Sequence, residues 1–152
     1  MTTERSVAIT RVFDAPRERV FAAWTQAKHL AHWFGPKGFT VPSCEADPRP
    51  GGVFRLCMRS PEGKDYWVRG QYREIAPPER LVIACTADDD QGITRLEELI
   101  DVTFTQRGGE TELKLLATAS GPGAEAAAMI EGMPKGWAQT ITRLDAHLNP
   151  KR

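Results

Sequence analysis

The chain has 152 residues and carries 20 Lys and Arg against 20 Asp and Glu, so its net charge is zero. A nucleic-acid-binding surface usually leaves a basic excess, and we therefore expect no nucleic acid partner. No apolar run approaches the ~20 residues that span a bilayer, and the N-terminal MTTERSVAITRVF has no apolar signal core. These features predict a cytoplasmic protein without a membrane partner. The length suits one domain, residues 1–152, around one core.

The N-terminal part predicts a strand followed by two short helices. Residues 6–13 alternate as a strand does, with Val7 and Ile9 on one face. Pro16 fits the first position of a helix, where its missing amide proton costs nothing. A second short helix over about 26–34 ends at Gly35 and the proline after it.

The middle of the chain predicts six strands. Gly, Pro and Asp cluster in the breaks between them, which is typical of turns. Because the connections are short, neighbouring strands are expected to be antiparallel. The predicted strands cover residues 39–45, 53–59, 66–75, 80–86, 96–106 and 110–119.

The C-terminal part predicts a helix that must bury an apolar stripe. A small helical piece, AEAAAMIE, comes first, and Gly132-Met133-Pro134 interrupts the pattern before a long helix over 134–148. Apolar residues recur in that helix every three or four positions, at Trp137, Ile141, Leu144 and Leu148. We expect this stripe to pack on the sheet, and a curved sheet can leave a pocket beneath such a helix.

Four motifs in order carry a resemblance to a known family: RVFDAPRERVFAAWTQAKHLAHWFGP, DPRPGGVFRLCMRSPEG, GQYREIAPPERLV, and GW followed by a Leu-rich helix. Over about residues 6–148 the chain resembles the SRPBCC (START-like) superfamily. Within it, the chain looks like the branch similar to the C-terminal domain of the activator of heat-shock-protein-90 ATPase. The resemblance implies an α+β helix-grip fold, in which a curved antiparallel β-sheet wraps around a long C-terminal helix and two short helices follow the first strand. It also implies a cavity between sheet and helix that often accepts an apolar small molecule.

Candidate ligand-binding residues are the aromatic and methionine side chains that could line such a cavity, with two charged groups. Aromatic rings offer large contact areas and methionine adapts to varied ligands, although each of these side chains could instead simply fill the core. The two-residue strand period places Glu98 on the inner face if Leu96 and Ile100 point inward; a rim position or a bulge is the alternative. A carboxyl in an apolar cavity would have a raised pKa. The candidates are Trp33, Phe34, Phe54, Met58, Trp67, Arg69, Tyr72, Glu98, Met129, Met133 and Trp137.

No metal or cofactor site is predicted. His29 and His32 share a helix face, as some metal sites require, but a third ligand is missing and His147 is distant in sequence, so we expect a solvated pair. The run of three aspartates at 88–90 lacks the spacing of a calcium loop and predicts a polar hairpin loop. The cysteines form no CxxC pair and are expected to be reduced, packed thiols: Cys44, Cys57 and Cys85.

Three functions remain open, and no catalytic grouping is identified. The first, which requires least, is a binding protein for an apolar or amphipathic small molecule. The second is an enzyme of the cyclase or hydrolase kind, as some relatives with this fold are, with Glu98, Arg69 and Tyr72 as acid, base and orienting group. It would gain support if Glu98 and Arg69 shared one sealed pocket. The third is an interaction protein with a chaperone partner whose ATPase it modulates. A homodimer also remains open, because no interface stripe can be separated from the core.

Overall fold

The computed structural model describes residues 1–150, which form a seven-stranded antiparallel sheet and four helices. This confirms the predicted α+β helix-grip fold. The elements in chain order are β1 (Thr2–Phe13), α1 (Arg17–Thr25), α2 (Ala27–Trp33), β2 (Thr40–Ala46), β3 (Val53–Arg59), β4 (Asp65–Ala76), β5 (Arg80–Asp88), β6 (Thr94–Arg107), β7 (Glu110–Pro122), α3 (Gly123–Glu131) and α4 (Met133–Leu148).

The strand order is β1-β7-β6-β5-β4-β3-β2, so the first strand pairs with the last. Strands β2 to β7 follow one another through short connections and are neighbours in the sheet, as their turn sequences predict. The pairing of β1 with β7 runs from Thr2 opposite Pro122 to Phe13 opposite Thr111. The chain then passes from one edge of the sheet to the other through α1 and α2, which therefore cover one end of it.

The C-terminal helix α4 presents its apolar stripe to the sheet. Its buried side chains include Trp137, Ile141, Leu144 and Leu148, at the spacing that predicts them. The inner face of the sheet, which is the face turned toward α4, contributes alternate residues such as Ile100 on β6. Burying one large apolar side chain contributes about 1.5–3 kcal/mol, so this stripe fixes the helix on the sheet.

Two buried side chains bind the last turn of α1. The indole nitrogen of Trp33 donates a hydrogen bond to the carbonyl oxygen of Ala23 at 3.0 Å, and the Tyr72 hydroxyl donates one to the carbonyl oxygen of Trp24 at 2.8 Å. Both acceptors belong to the last four carbonyl groups of a helix, which have no partner inside the helix. These bonds fix the position of α1, and with it the start of α2, relative to β4.

The chain leaves α2 through Gly35, whose φ of +108° lies in the region that favours glycine. A Cβ atom there would lie 3.3 Å from Sδ of Met58. Gly70 on β4 allows a second close approach, because a Cβ atom there would lie 2.0 Å from the carbonyl oxygen of Ala84 on β5. Both glycines lie where the backbone comes close to a neighbouring residue.

Two predicted boundaries are corrected. Strand β1 begins at Thr2 rather than at residue 6, because the polar residues at its start are held by pairing with the end of β7. Asp88 belongs to β5 and is buried, although the aspartate run predicted an exposed loop. Among residues 1–150, no helix is both long enough and apolar enough to cross a membrane.

Candidate functional site

A cavity of about 330 Å³ lies between the inner face of the sheet and helices α3 and α4. Its wall consists of residues from the α2–β2 connection, from β3 to β6, and from both C-terminal helices. Most of these residues are aromatic, methionine or aliphatic, and glycines leave parts of the backbone uncovered. Small-molecule sites in proteins are commonly concave, apolar and of this size.

The cavity brings together seven of the eleven residues that the sequence suggests. They come from four different parts of the fold: the end of α2, the strands β3, β4 and β6, helix α3, and the start of α4. The residues are Phe34, Met58, Trp67, Glu98, Met129, Met133 and Trp137. Whether they bind a ligand remains a prediction.

Three of the other candidates, Trp33, Phe54 and Tyr72, lie in the core and do not border the cavity. Each is fully buried. Trp33 and Tyr72 donate hydrogen bonds to carbonyl groups of α1. The Phe54 ring lies 5.6 Å from the Tyr72 ring, edge to face. These rings belong to the buried core between sheet and helices, so their role is packing.

Arg69 lies on the outer face of the sheet, which is the face turned away from α4. Its Nε is 3.3 Å from Oδ2 of Asp88, and its guanidinium group lies 5.5 Å from the centre of the Trp67 ring. Arg55 packs on the same ring at 4.8 Å. Trp67 borders the cavity, but its ring packs against these two cations, so we expect that ring to contribute little to a ligand site.

Glu98 is the carboxyl group that borders the cavity without an ion pair to any Lys or Arg in residues 1–150. It lies on β6 between the inward-facing Leu96 and Ile100, as the strand period predicts. Burial raises its pKa to about 7, and a hydrogen bond with the side chain of Trp137 opposes part of that rise. The carboxyl group is therefore close to half ionised at neutral pH.

Trp137 is the aromatic residue that joins the cavity to the core. Its ring is stacked at 6.5 Å on Trp24 and lies 5.9 Å from Phe34, edge to face. Trp24 and Phe34 pack against the Trp137 ring, and only 8% of Trp137 is exposed. One face of α4 thus supplies a rigid aromatic surface beside the Glu98 carboxyl.

Sequence reasoning missed some residues of the wall, of which Tyr66, Asp88 and Thr140 carry polar side chains. The Asp88 side chain is only 3% exposed; the Thr94 hydroxyl donates to its Oδ1 at 2.7 Å and Arg69 pairs with its Oδ2. Tyr66 could have been found from the strand period, since it is two residues before the buried Val68. Asp88 gave no such signal, because a run of aspartates is typical of an exposed turn.

The three histidines of the chain lie together at the contact between α2 and α4. Nδ1 of His29 is 3.0 Å from Nε2 of His147, and the rings of His32 and His147 are stacked at 5.4 Å. The predicted pair of His29 and His32 is thus joined by His147, because the fold brings the end of α4 onto α2. Burial, followed by the nearby positive charges, lowers the pKa of His29 and of His147.

No group of three or more His, Cys, Asp or Glu residues is placed to hold a metal ion within residues 1–150. The three cysteines are free thiols. Burial raises the pKa of each, to about 11 for Cys44, and for Cys85 the charge of Glu98 adds to the rise. A thiol with a raised pKa is a poor nucleophile at neutral pH.

A family model described as Activator of Hsp90 ATPase homolog 1-like protein matches residues 14–149. The chain belongs to this family. The match covers the two helices after β1, strands β2 to β7 and both C-terminal helices, which enclose the cavity. No curated protein matches the chain.

Solved structures show the same fold as this member of the Activator of Hsp90 ATPase homolog 1-like family. A protein from Chromobacterium violaceum is 24% identical, with a TM-score of 0.81 over 96% of this chain and 98% of that chain. A protein from Nitrosomonas europaea is also 24% identical, with a TM-score of 0.80 over 96% and 95%. The AHSA1 protein from Silicibacter pomeroyi is 23% identical, with a TM-score of 0.76 over 97% and 100%. At these identities the comparison shows the fold alone.

Proposed function

We propose that this protein binds an apolar or amphipathic small molecule in the cavity between the sheet and α4. The observation that carries the proposal is the composition of the wall, in which Phe34, Met58, Met129, Met133 and Trp137 surround about 330 Å³. Aromatic side chains give contact area at low entropic cost, and methionine adapts to ligands of different shape. Such a wall favours binding through burial of apolar surface.

Gly136 allows a direct test of ligand binding in the cavity. It lies within helix α4 and borders the cavity. A Cβ atom there would meet only Cγ of Pro36, at 3.7 Å, which is an ordinary contact. Gly136→Ala should therefore leave most of the cavity open, whereas Gly136→Met should fill part of it. We expect calorimetric titration with octanol to give similar affinities for wild type and Gly136→Ala, and a loss of at least tenfold for Gly136→Met.

The two Gly136 variants are a matched pair, because both replace a helical glycine by a better helix former. A reduced affinity in Gly136→Met alone therefore reports the filled cavity and not a damaged helix. If octanol binds all three proteins equally, the proposal is wrong.

Native mass spectrometry before and after solvent extraction tests the same proposal without a chosen probe. A reproducible extra mass that disappears on extraction would identify the class of the natural ligand. The same spectrum gives the oligomeric state and so tests the homodimer. We propose the cytoplasm as the location, because three free thiols suit a reducing compartment.

The enzyme alternative lacks the arrangement that would favour it. Glu98 borders the cavity, whereas Arg69 lies on the outer face and Tyr72 lies in the core, bound to the Trp24 carbonyl. These three groups do not meet at one point where a substrate could contact them all.

A role on a chaperone is the second candidate, and it is favoured by the description of the family as Activator of Hsp90 ATPase homolog 1-like. The experiment is an ATPase assay of purified Hsp90 with increasing amounts of this protein. A saturable increase in rate would support this candidate, and an unchanged rate with a chaperone that responds to a known activator would reject it.

A further inference from the structure

The charged side chains that border the cavity are all of one sign. Among residues 1–150, the charged side chains that border the cavity are two carboxyl groups, Glu98 and Asp88, and no Lys, Arg or His borders it. Asp88 is already compensated, because Arg69 pairs with it from the outer face and the Thr94 hydroxyl donates to it. Glu98 has no cationic partner in the described part of the chain. The cavity therefore offers one uncompensated carboxyl group to whatever enters it.

The groups that face Glu98 from neighbouring elements leave this asymmetry in place. Cys85 lies opposite it on β5 and is neutral, since its pKa is raised, and Ala119 lies opposite it on β7. The cavity residues of α3 and α4 are uncharged, and α4 contributes the indole of Trp137, which makes a hydrogen bond with Glu98. Tyr66 is the remaining titratable residue of the wall.

We propose that the cavity prefers amphipathic amines, with the ammonium group against Glu98 and the apolar body against the aromatic and methionine wall. This inference rests on the proposed function. An ammonium group supplies the charge that Glu98 lacks, and it can also lie over the face of the Trp137 ring, which favours cations. A fatty acid of equal length would instead bring a second anion to an anionic, poorly solvated site.

The cavity volume sets the length of a suitable probe. Liquid water takes ~30 Å³ per molecule, so about 330 Å³ has room for roughly ten non-hydrogen atoms. Octylamine, octanol and octanoate match this size and differ mainly in the charge of the head group: positive, neutral and negative. An alkylamine stays protonated up to about pH 10, as lysine does, so its own charge is constant at neutral pH.

The test is calorimetric titration of the three probes into wild type, Glu98→Gln and Glu97→Gln at pH 6 and pH 8. With a pKa of about 7, Glu98 is about one-tenth ionised at pH 6 and nine-tenths ionised at pH 8. We expect the affinity of wild type for octylamine to rise about tenfold between these pH values, while that for octanol changes little. At pH 8 octylamine should bind at least tenfold more tightly than octanol, and octanoate most weakly.

Glu97→Gln is the matched control, because it removes the same charge one residue away, on the exposed outer face. It should behave as wild type, whereas Glu98→Gln should lose both the preference for octylamine and the pH dependence but still bind octanol. Equal binding of octylamine and octanol by wild type, a preference that survives in Glu98→Gln, or an equal loss in Glu97→Gln would overturn the inference and leave the proposed function standing. If none of the three probes binds wild type, both fail.

Discussion

Glu98→Gln should stabilise the protein at alkaline pH, and the size of the effect follows from the position of Glu98. Burial raises the pKa of its carboxyl group from 4.5 to about 7. The unfolded chain therefore loses this proton at lower pH than the folded chain, and wild type loses stability as the pH rises from about 4.5 to about 7. One pKa unit corresponds to 1.36 kcal/mol, so the full loss is about 3 kcal/mol. Glutamine has a similar shape and no charge, so the variant avoids this loss.

The measurement is the free energy of unfolding in urea, for wild type and Glu98→Gln, at several pH values between 4 and 8. The difference between the two proteins should be near zero at pH 4 and reach about 3 kcal/mol in favour of the variant at pH 8. Other titrating groups cancel in this difference. Glu97→Gln, which removes a carboxyl group from the exposed outer face of the same strand, is the matched control. Parallel curves for wild type and Glu98→Gln would refute the assignment of a raised pKa to this carboxyl group.

Three further predictions concern the cavity, the core and the histidine contact. Trp137→Ala should weaken octanol binding roughly tenfold in a calorimetric titration, because a large apolar surface leaves the cavity wall; unchanged affinity would remove Trp137 from the site. Tyr72→Phe should lower the free energy of unfolding by about 1–2 kcal/mol, since the Trp24 carbonyl loses its donor, without changing octanol affinity. The lowered pKa values of His29 and His147 mean that stability falls as the pH drops below about 6.5, and His147→Gln should reduce that fall in thermal melts. An identical melting profile would contradict it.

The strand period and the helix stripe predicted the strands and helices, and the family resemblance implied their helix-grip arrangement. Alternation gave an inner position on β6 as one of two interpretations for Glu98, and the three-to-four-residue spacing predicted Trp137 on the buried side of α4. Both patterns follow from the regular backbone geometry of strands and helices, so the spacing of residues in the sequence is enough to predict them. The short turns between the six strands also predicted antiparallel neighbours, whereas the pairing of β1 with β7 was not predicted.

The division of the inner face into packed core and cavity wall was not predictable. Phe54 and Met58 lie on the same face of β3, yet only Met58 borders the cavity. The difference depends on how far the sheet lies from the helices at each position, which is a property of the whole fold. The meeting of His147 with His29 has the same origin, because it requires α4 to end over α2. Arg69 is a candidate ligand-binding residue in the sequence, although its own strand period, after the inward Val68, puts it on the outer face.

The pairing of the first strand with the last has a consequence for how the chain is made. Thr2 finds its partner only when Pro122 has been synthesised, and the apolar inner face stays uncovered until α4 follows. The pairing of β1 with β7 thus joins segments that emerge at opposite ends of translation, and such non-local contacts slow folding. We expect the nascent chain to remain unfolded on the ribosome and to fold in one cooperative step after release.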